Sequence, residues 1–298
     1  MIIVTLVGRP NGADDWDDVH ERASRRLQWM KDNFAFESGQ LEHRWGHFAA
    51  VASGISYGGG QQYPKNMNMS PHNAAVMDTV LQDPDIKRIA NFGSAMLQTF
   101  HPRLHADYTT VLQTLMARDS NLSPNFANNA FAAASFNLGP KTVSFRHLDS
   151  NNVPHGQCTI TALGRYDHTK GGHIVLWSLR MVIQFPPSAT ILIPSAIVPH
   201  SNTILTSEDE FRQSFTQYSA GGLHRWVACG HQSQKDFEWQ GRRFDISGEE
   251  RWRRGLSLLS KWSEYAPTDS EVTNDDVGGG GSNGDSSSST SNYSSYNV

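Results

Sequence analysis

The sequence has only two cysteines, Cys158 and Cys229, too few for a disulfide framework. Nor does it contain a run approaching the ~20 apolar residues that a membrane-spanning helix needs, so no such span is expected. The opening Met1-Ile-Ile-Val-Thr-Leu-Val7 is apolar but short. It has no basic residue ahead of it and no small-residue cleavage pattern behind it, so it reads as an edge strand or a ragged start and not as a signal peptide. A reducing, intracellular setting, nucleus or cytoplasm, is the expectation. Excess charge is also scarce. The net is −4 over 298 residues, and the stretch from Ala266 onward holds Asp269, Glu271, Asp275, Asp276 and Asp285 with no Lys or Arg. Without those five acids the remainder carries +1. A protein that coats nucleic acid usually has a clearly basic domain; here basic residues gather only locally, at Arg242-Arg243 and Arg251-Trp-Arg-Arg254.

Hydrophobic residues make up 38% of the chain, enough to bury one large core. We expect a single domain over 1–265 and a disordered, acidic, Gly/Ser-rich tail over 266–298. The run Asp275-Asp-Val-Gly-Gly-Gly-Gly-Ser-Asn-Gly lacks the apolar surface that offsets the entropy of ordering a backbone. In residues 14–36, Trp16, Val19, Ala23, Leu27 and Met30 fall at helical spacing, with charged residues between them. Further helices fit 71–81, 85–100 and 103–118. The stretch Gly54-Ile-Ser-Tyr-Gly-Gly-Gly-Gln61 is too glycine-rich for a helix and reads as a loop.

From about residue 129 to 230 the texture changes to short β-branched or aromatic runs broken by Gly, Pro, Asn and Asp. Strands fit 133–137, 143–147, 156–163, 173–176, 181–185, 190–194, 196–202, 213–218 and 223–227, with a closing helix over 248–265. With no helical pattern between these strands, the expected class is α+β: a double-stranded β-helix (jelly roll) with an N-terminal helical layer.

Within that region, His147-Leu-Asp149 sets an imidazole and a carboxylate two residues apart, on one face of an extended strand. That pair can grip a divalent metal, although alone it reads more readily as a surface or structural pair. His200 follows the apolar run Ile191-Leu-Ile-Pro-Ser-Ala-Ile-Val-Pro. Burying an imidazole there is costly without a partner. It either caps its own strand through a backbone carbonyl or completes a two-His-one-carboxylate facial triad, which leaves open positions on Fe(II). Arg212-Gln-Ser214 then offers a planar fork and a hydroxyl for a buried carboxylate. A hairpin through 202–210 would set both beside the strand bearing His200; the competing reading pairs Arg212 with Glu208 or Asp209. Taken jointly, the pattern points to a site for Fe(II) and 2-oxoglutarate.

The runs Gly54-Ile-Ser-Tyr-Gly-Gly-Gly-Gln61, Ser135-Phe-Asn-Leu-Gly-Pro140, Thr159-Ile-Thr-Ala-Leu-Gly164, Gly171-Gly-His-Ile-Val-Leu-Trp177, Phe185-Pro-Pro-Ser-Ala-Thr-Ile-Leu-Ile-Pro-Ser195 and Ser214-Phe-Thr-Gln-Tyr-Ser-Ala-Gly-Gly222 resemble those of the fungal, basidiomycete-type TET/JBP-like dioxygenases. The resemblance covers roughly 50–265. It implies metal ligands at His147, Asp149 and His200 and a 2-oxoglutarate clamp at Arg212. It also implies a DNA partner, with the methyl group of 5-methylcytosine or N6-methyladenine as substrate and dioxygen as co-substrate. The rival readings are a hydroxylase of a small molecule or protein side chain on the same scaffold, and an inactive metal-binding jelly roll that serves as an interaction module.

Other residues carry weaker signals. His173 opens a strand and competes with His200 as third ligand, but no Arg-x-Ser follows it at hairpin distance. Asn137 either holds a cosubstrate carboxylate, reads a base edge, or satisfies the bend before Gly139. Arg225 is the next candidate clamp after Arg212. Tyr57 and Gln61 flank the glycine run and read as structural; Trp177 and Trp226 read as core. Because 266–298 has no apolar face to dock, its deletion should leave the melting temperature and activity nearly unchanged, as circular dichroism and turnover of the truncated chain would measure.

Overall fold

Prolines cut the helical half of the chain into separate rods. The computed structural model describes residues 1–265, so the tail expected to be disordered lies outside the described residues. In order, the chain forms β1 (Thr5–Gly8), α1 (Trp16–Asn33), α2 (Ser38–Leu41), β2 (Ala50–Ser56), β3 (Lys65–Asn66), α3 (Pro71–Gln82), α4 (Pro84–Phe100), α5 (Pro102–Arg118) and β4 (Ala133–Asn137). There follow β5 (Cys158–Arg165), β6 (Ile174–Leu176), β7 (Met181–Ile183), β8 (Thr190–Ile193), β9 (His200–Asn202), β10 (Phe211–Tyr218), α6 (Gly221–Ala228), α7 (Gln234–Trp239) and α8 (Gly248–Leu256). Pro71, Pro84 and Pro102 each open a helix, where a missing N–H costs nothing. Ser70 caps α3 by accepting from the Asn73 N–H, and Asp83 caps α4 by accepting from Asp85 and Ile86. No helix among the described residues is long and apolar enough to cross a membrane.

Met1–Lys261 forms one unit. Its framework is an antiparallel seven-stranded sheet in the order β1-β8-β5-β10-β4-β2-β3, with a three-stranded sheet, β7-β6-β9. This is the expected α+β jelly roll with a helical layer. At its centre β10 pairs on one side with β4 and on the other with β5. Side chains alternate along it. Gln213, Phe215 and Gln217 face the helices: Gln213 accepts from Ser24 of α1 at 2.7 Å, and Gln217 donates to the Ala90 carbonyl of α4 at 3.0 Å. Phe215 packs against Phe126 and Phe136 in a core with Val19, Leu27 and Met30. Each such fully buried aliphatic side chain contributes about 1.5–3 kcal/mol. Arg212, Ser214, Thr216 and Tyr218 point the other way, into the jelly roll.

Several elements differ from the sequence expectation. Residues 223–227 form α6 and not a strand: Leu223, Trp226 and Val227 follow a helical period, which their β-favouring side chains disguise. Residues 54–56, read as the start of a glycine-rich loop, are the end of β2 inside the large sheet. There Gly54 is required, because at φ 113° a Cβ would lie 2.4 Å from the Ala132 carbonyl. Residues 196–202 form a strand only at His200–Asn202, since the amides of Ile197 and Val198 turn back onto the Pro194 carbonyl. Residues 143–147 form no regular strand, and α8 ends at Leu256. The apolar start is an edge strand, β1, on β8.

Burial holds the imidazoles of His20 and His155 below their ordinary range; the neighbouring His224 adds to this at His155. In the unfolded chain both take up protons below about pH 6.5. Their contribution to stability is therefore present above that pH and is lost as pH falls through the depressed folded values. The melting temperature should drop between pH 7.5 and 5, and His20→Gln and His155→Gln should each flatten that slope in a calorimetric pH series.

Candidate metal centre

His147 and Asp149 reach the centre from an irregular segment, and His200 from the first position of β9. His147 and His200 exchange two backbone hydrogen bonds, each 3.0 Å, as in a regular antiparallel pair. The next bond has slipped by one residue: the Asn202 N–H goes to the Ser144 carbonyl, and the Phe145 N–H goes instead to Trp45. This irregularity is why 143–147 is not a strand. It also leaves the Phe145 carbonyl free to accept from His147 Nδ1 at 2.6 Å. His200 Nδ1 likewise meets the Val198 carbonyl at 3.0 Å. A carbonyl only accepts, so both protons sit on Nδ1 and both Nε2 lone pairs face inward. The expected contact of His200 with a backbone carbonyl of its own segment is therefore present, and it leaves Nε2 available.

His147 Nε2 lies 3.8 Å from Asp149 Oδ1, and His200 Nε2 lies 4.0 Å from Asp149 Oδ2. Ligand atoms of all three residues fall within 4.8 Å of one another. Two neutral imidazoles and a carboxylate at that spacing are a donor set for a divalent cation of intermediate hardness. Burial, with His147 alongside, holds His200 below the ordinary imidazole range, which favours the neutral, ligating form. Among the described residues this is the only cluster of three or more such groups; His173 is outside it, its Nε2 facing the His168 carbonyl at 2.8 Å.

Arg212 is 1% exposed on the inner face of β10. It does not lie beside the strand bearing His200, as the hairpin reading required: β10 sits in the large sheet between β4 and β5, and β9 pairs with β6 in the small one. The chain after Asn202 crosses from one sheet to the other. Nor does Arg212 pair with Glu208, which binds Lys141. One guanidinium nitrogen donates to the Thr142 carbonyl at 2.9 Å, and Nε has no partner. Among the described residues no carboxylate pairs with it. Ser214 stands two residues along the same face, and Asn137 of β4 lies directly opposite, its amide donating to the Ser214 hydroxyl at 2.9 Å.

Asp149 is close enough to this inner face to act on it. The Cys158 thiol is pushed up to about 12 by burial and then by the Asp149 charge. Burial also raises the Tyr218 phenol, and Asp149 adds to that. The sequence reading missed the polar side chains that frame Asp149, namely Asn152, Cys158 and Ser195. Their signal was faint: an Asn three residues after a candidate ligand, and a lone thiol in a strand. At the surface nearby, Phe145 is 49% exposed and Trp177 44% exposed, so Trp177 is not core. Arg146 stacks over Trp177 at 5.0 Å and Arg44 over Trp45 at 4.8 Å. Trp226 packs on Tyr57, and Arg225 is exposed on α6. Gln61 closes a glycine turn onto the Gly58 carbonyl.

No protein-family model matches the chain, and no curated protein matches it in sequence. Among solved structures it is similar to NgTET1 in complex with 5mC DNA, at 13% identity and a TM-score of 0.52, over 72% of this chain and 70% of that one. An oxidoreductase of the 2OG-Fe(II) oxygenase family from Burkholderia pseudomallei aligns at 17% identity and a TM-score of 0.36, over 65% of this chain and 76% of that one. A prolyl-4-hydroxylase from Pseudomonas putida aligns at 13% identity and a TM-score of 0.34, over 72% and 90%. At these identities what is shared with NgTET1 is the fold: a helical layer on a jelly roll.

Proposed function

We propose that the protein is an Fe(II)- and 2-oxoglutarate-dependent dioxygenase that oxidises the methyl group of a modified base in DNA, 5-methylcytosine or N6-methyladenine. The observation that carries the reading is the buried guanidinium of Arg212, which meets no carboxylate among the described residues. A guanidinium is cationic in proteins, and a buried cation without a counter-charge is costly. It stands on the face of β10 that looks into the jelly roll, where Asp149 also acts. A dicarboxylate with a keto-acid end has the chemistry for both places: a far carboxylate for Arg212 and a chelating end for the cluster of two imidazoles and a carboxylate.

In this reading His147 and His200 present Nε2, and Asp149 supplies the negative charge that neutralises part of a divalent ion. The backbone carbonyls behind both imidazoles hold the rings in the ligating tautomer. Arg212 meets the distal carboxylate as a planar fork. Because Asn137 donates into the Ser214 oxygen, the hydroxyl proton of Ser214 is free to point at the same carboxylate. Apolar Ala162, Ile193 and Val198 keep water from these groups, which strengthens each charged contact. When bound, iron and 2-oxoglutarate supply the oxidising chemistry of dioxygen.

Three considerations favour a methylated base. The sequence runs resemble those of the TET/JBP-like dioxygenases, and the fold is similar to that of NgTET1, itself bound to 5mC DNA. Around the candidate centre, exposed Phe145 and the Arg146–Trp177 and Arg44–Trp45 stacks combine aromatic faces with positive charge, a surface suited to bases and phosphates. A target base would enter the site extruded from its stack. The near-neutral charge of residues 1–265 favours the second reading, hydroxylation of a small molecule or a protein side chain. Iron-dependent conversion of methylated oligonucleotides, read by mass, separates the two, as does DNA affinity, which should fall steeply with salt if phosphates are contacted.

Anaerobic titration should give one Fe(II) or Co(II) per chain. His147→Ala, Asp149→Ala and His200→Ala should each abolish that binding, while His173→Ala should retain it. Arg212→Ala should keep the metal but raise the 2-oxoglutarate requirement on the order of a hundredfold, because a desolvated ion pair loses one partner. Arg212→Lys should recover only part of this, since an ammonium is not a planar fork. Ser214→Ala should cost roughly tenfold, as one neutral donor to a charged acceptor. A wild-type requirement in Arg212→Ala, measured by succinate release, would remove the arginine from the clamp.

A further inference from the structure

The three metal-facing groups are not held alike. His147 and His200 fix each other through reciprocal backbone bonds, but Asp149 lies beyond the paired segment, at the start of a turn. Its amide donates to the Ser195 carbonyl at 3.0 Å, and its carbonyl accepts from the Asn152 amide at 2.8 Å. The Asn152 side chain then reaches back. Its Nδ2 donates to the Ser195 hydroxyl at 3.2 Å and to the Cys158 sulfur at 3.3 Å, while Cys158 and Ser195 themselves bond at 2.8 Å. Cys158 and Ser195 are almost fully buried. Cys158 belongs to β5, inside the large sheet; Ser195 opens the turn that leads to His200. One amide thus ties the Asp149 turn both to the large sheet and to the turn before a second ligand. The far end of the loop is held by backbone bonds, Val153 N–H to the Ser219 carbonyl and Gly221 N–H to the Asn151 carbonyl, and by the buried Val153 side chain.

We propose that Asn152 is a positioning residue for the Asp149 carboxylate, acting through the Ser195 hydroxyl and the Cys158 sulfur. The inference rests on reading His147, Asp149 and His200 as a metal centre. The acceptors here are a hydroxyl and a sulfur, on two separate elements. The short side-chain amide offers two N–H donors, one for each, while the backbone N–H of the same residue closes the Asp149 turn. Groups that orient metal ligands from behind typically change affinity about 10–100-fold when removed.

The test is anaerobic titration of the full chain with Fe(II) and with Co(II), the latter followed by its visible absorption, which reports coordination geometry. Asn152→Ala should weaken both ions by roughly 10–100-fold and alter the Co(II) spectrum, while the melting temperature without metal stays close to wild type. Ser195→Ala removes the anchor but keeps the backbone carbonyl; it should shift affinity the same way by less, and decides the matter if Asn152→Ala does not fold. The double variant should bind no worse than Asn152→Ala, because the two side chains act as one unit. If wild type binds metal while Asn152→Ala and Ser195→Ala bind with wild-type affinity and spectrum, the positioning role is overturned and the metal centre stands. If wild type binds neither ion, the metal reading fails and this proposal with it.

Discussion

Everything in this molecule hangs on the two-sidedness of β10. Because alternate side chains of a strand face opposite ways, one strand buried between β4 and β5 has to serve two environments at once. Its odd positions must satisfy the helical layer, and they do so with mixed chemistry: Phe215 fills the core while Gln213 and Gln217 bond to α1 and α4. Its even positions are left to the interior of the jelly roll, where Arg212 and Ser214 gather polarity that the core does not need. A slip of one residue in this pairing would carry the guanidinium into the helical core and the phenylalanine into the candidate centre. The many bonds that fix β10 in register therefore also determine where the site's cation lies.

Much of the helical half was legible because its signals are local. Trp16, Val19, Ala23, Leu27 and Met30 repeat at helical spacing, and each is buried. The starts of α3, α4 and α5 follow from prolines, and those of α3 and α4 also from the short polar caps beside them. The grouping of His147, Asp149 and His200 was legible for a different reason: few residue types ligate metals, and their order along the chain restricts which can meet.

What the sequence obscured is what tertiary context decides. Residues 54–56 look like the start of a glycine loop, yet Gly54 is there so that two backbones can approach closely within a sheet. Residues 223–227 carry tryptophan and valine, which favour strands, at a spacing that belongs to a helix. The slip beside His147 leaves no mark in composition, although it supplies the carbonyl that orients the ring. The position of Arg212 was misjudged in the same way. Strands adjacent in sequence were taken as adjacent in space, whereas the chain crosses between sheets after Asn202.

The sheet also has a temporal signature. Its outer edge is β1, whose Thr5 stands opposite Leu192, and β2 waits for β4 across the whole helical layer. On a ribosome the first strand is therefore made long before its partner exists. Helices α1 and α3–α5 can form while synthesis continues, since their contacts are largely local, but the large sheet closes only after β10 has emerged. Until then β5 and β4 each offer an open edge. Nascent chains stalled between β8 and β10 are the species most exposed to mispairing with one another, and the most in need of chaperone cover.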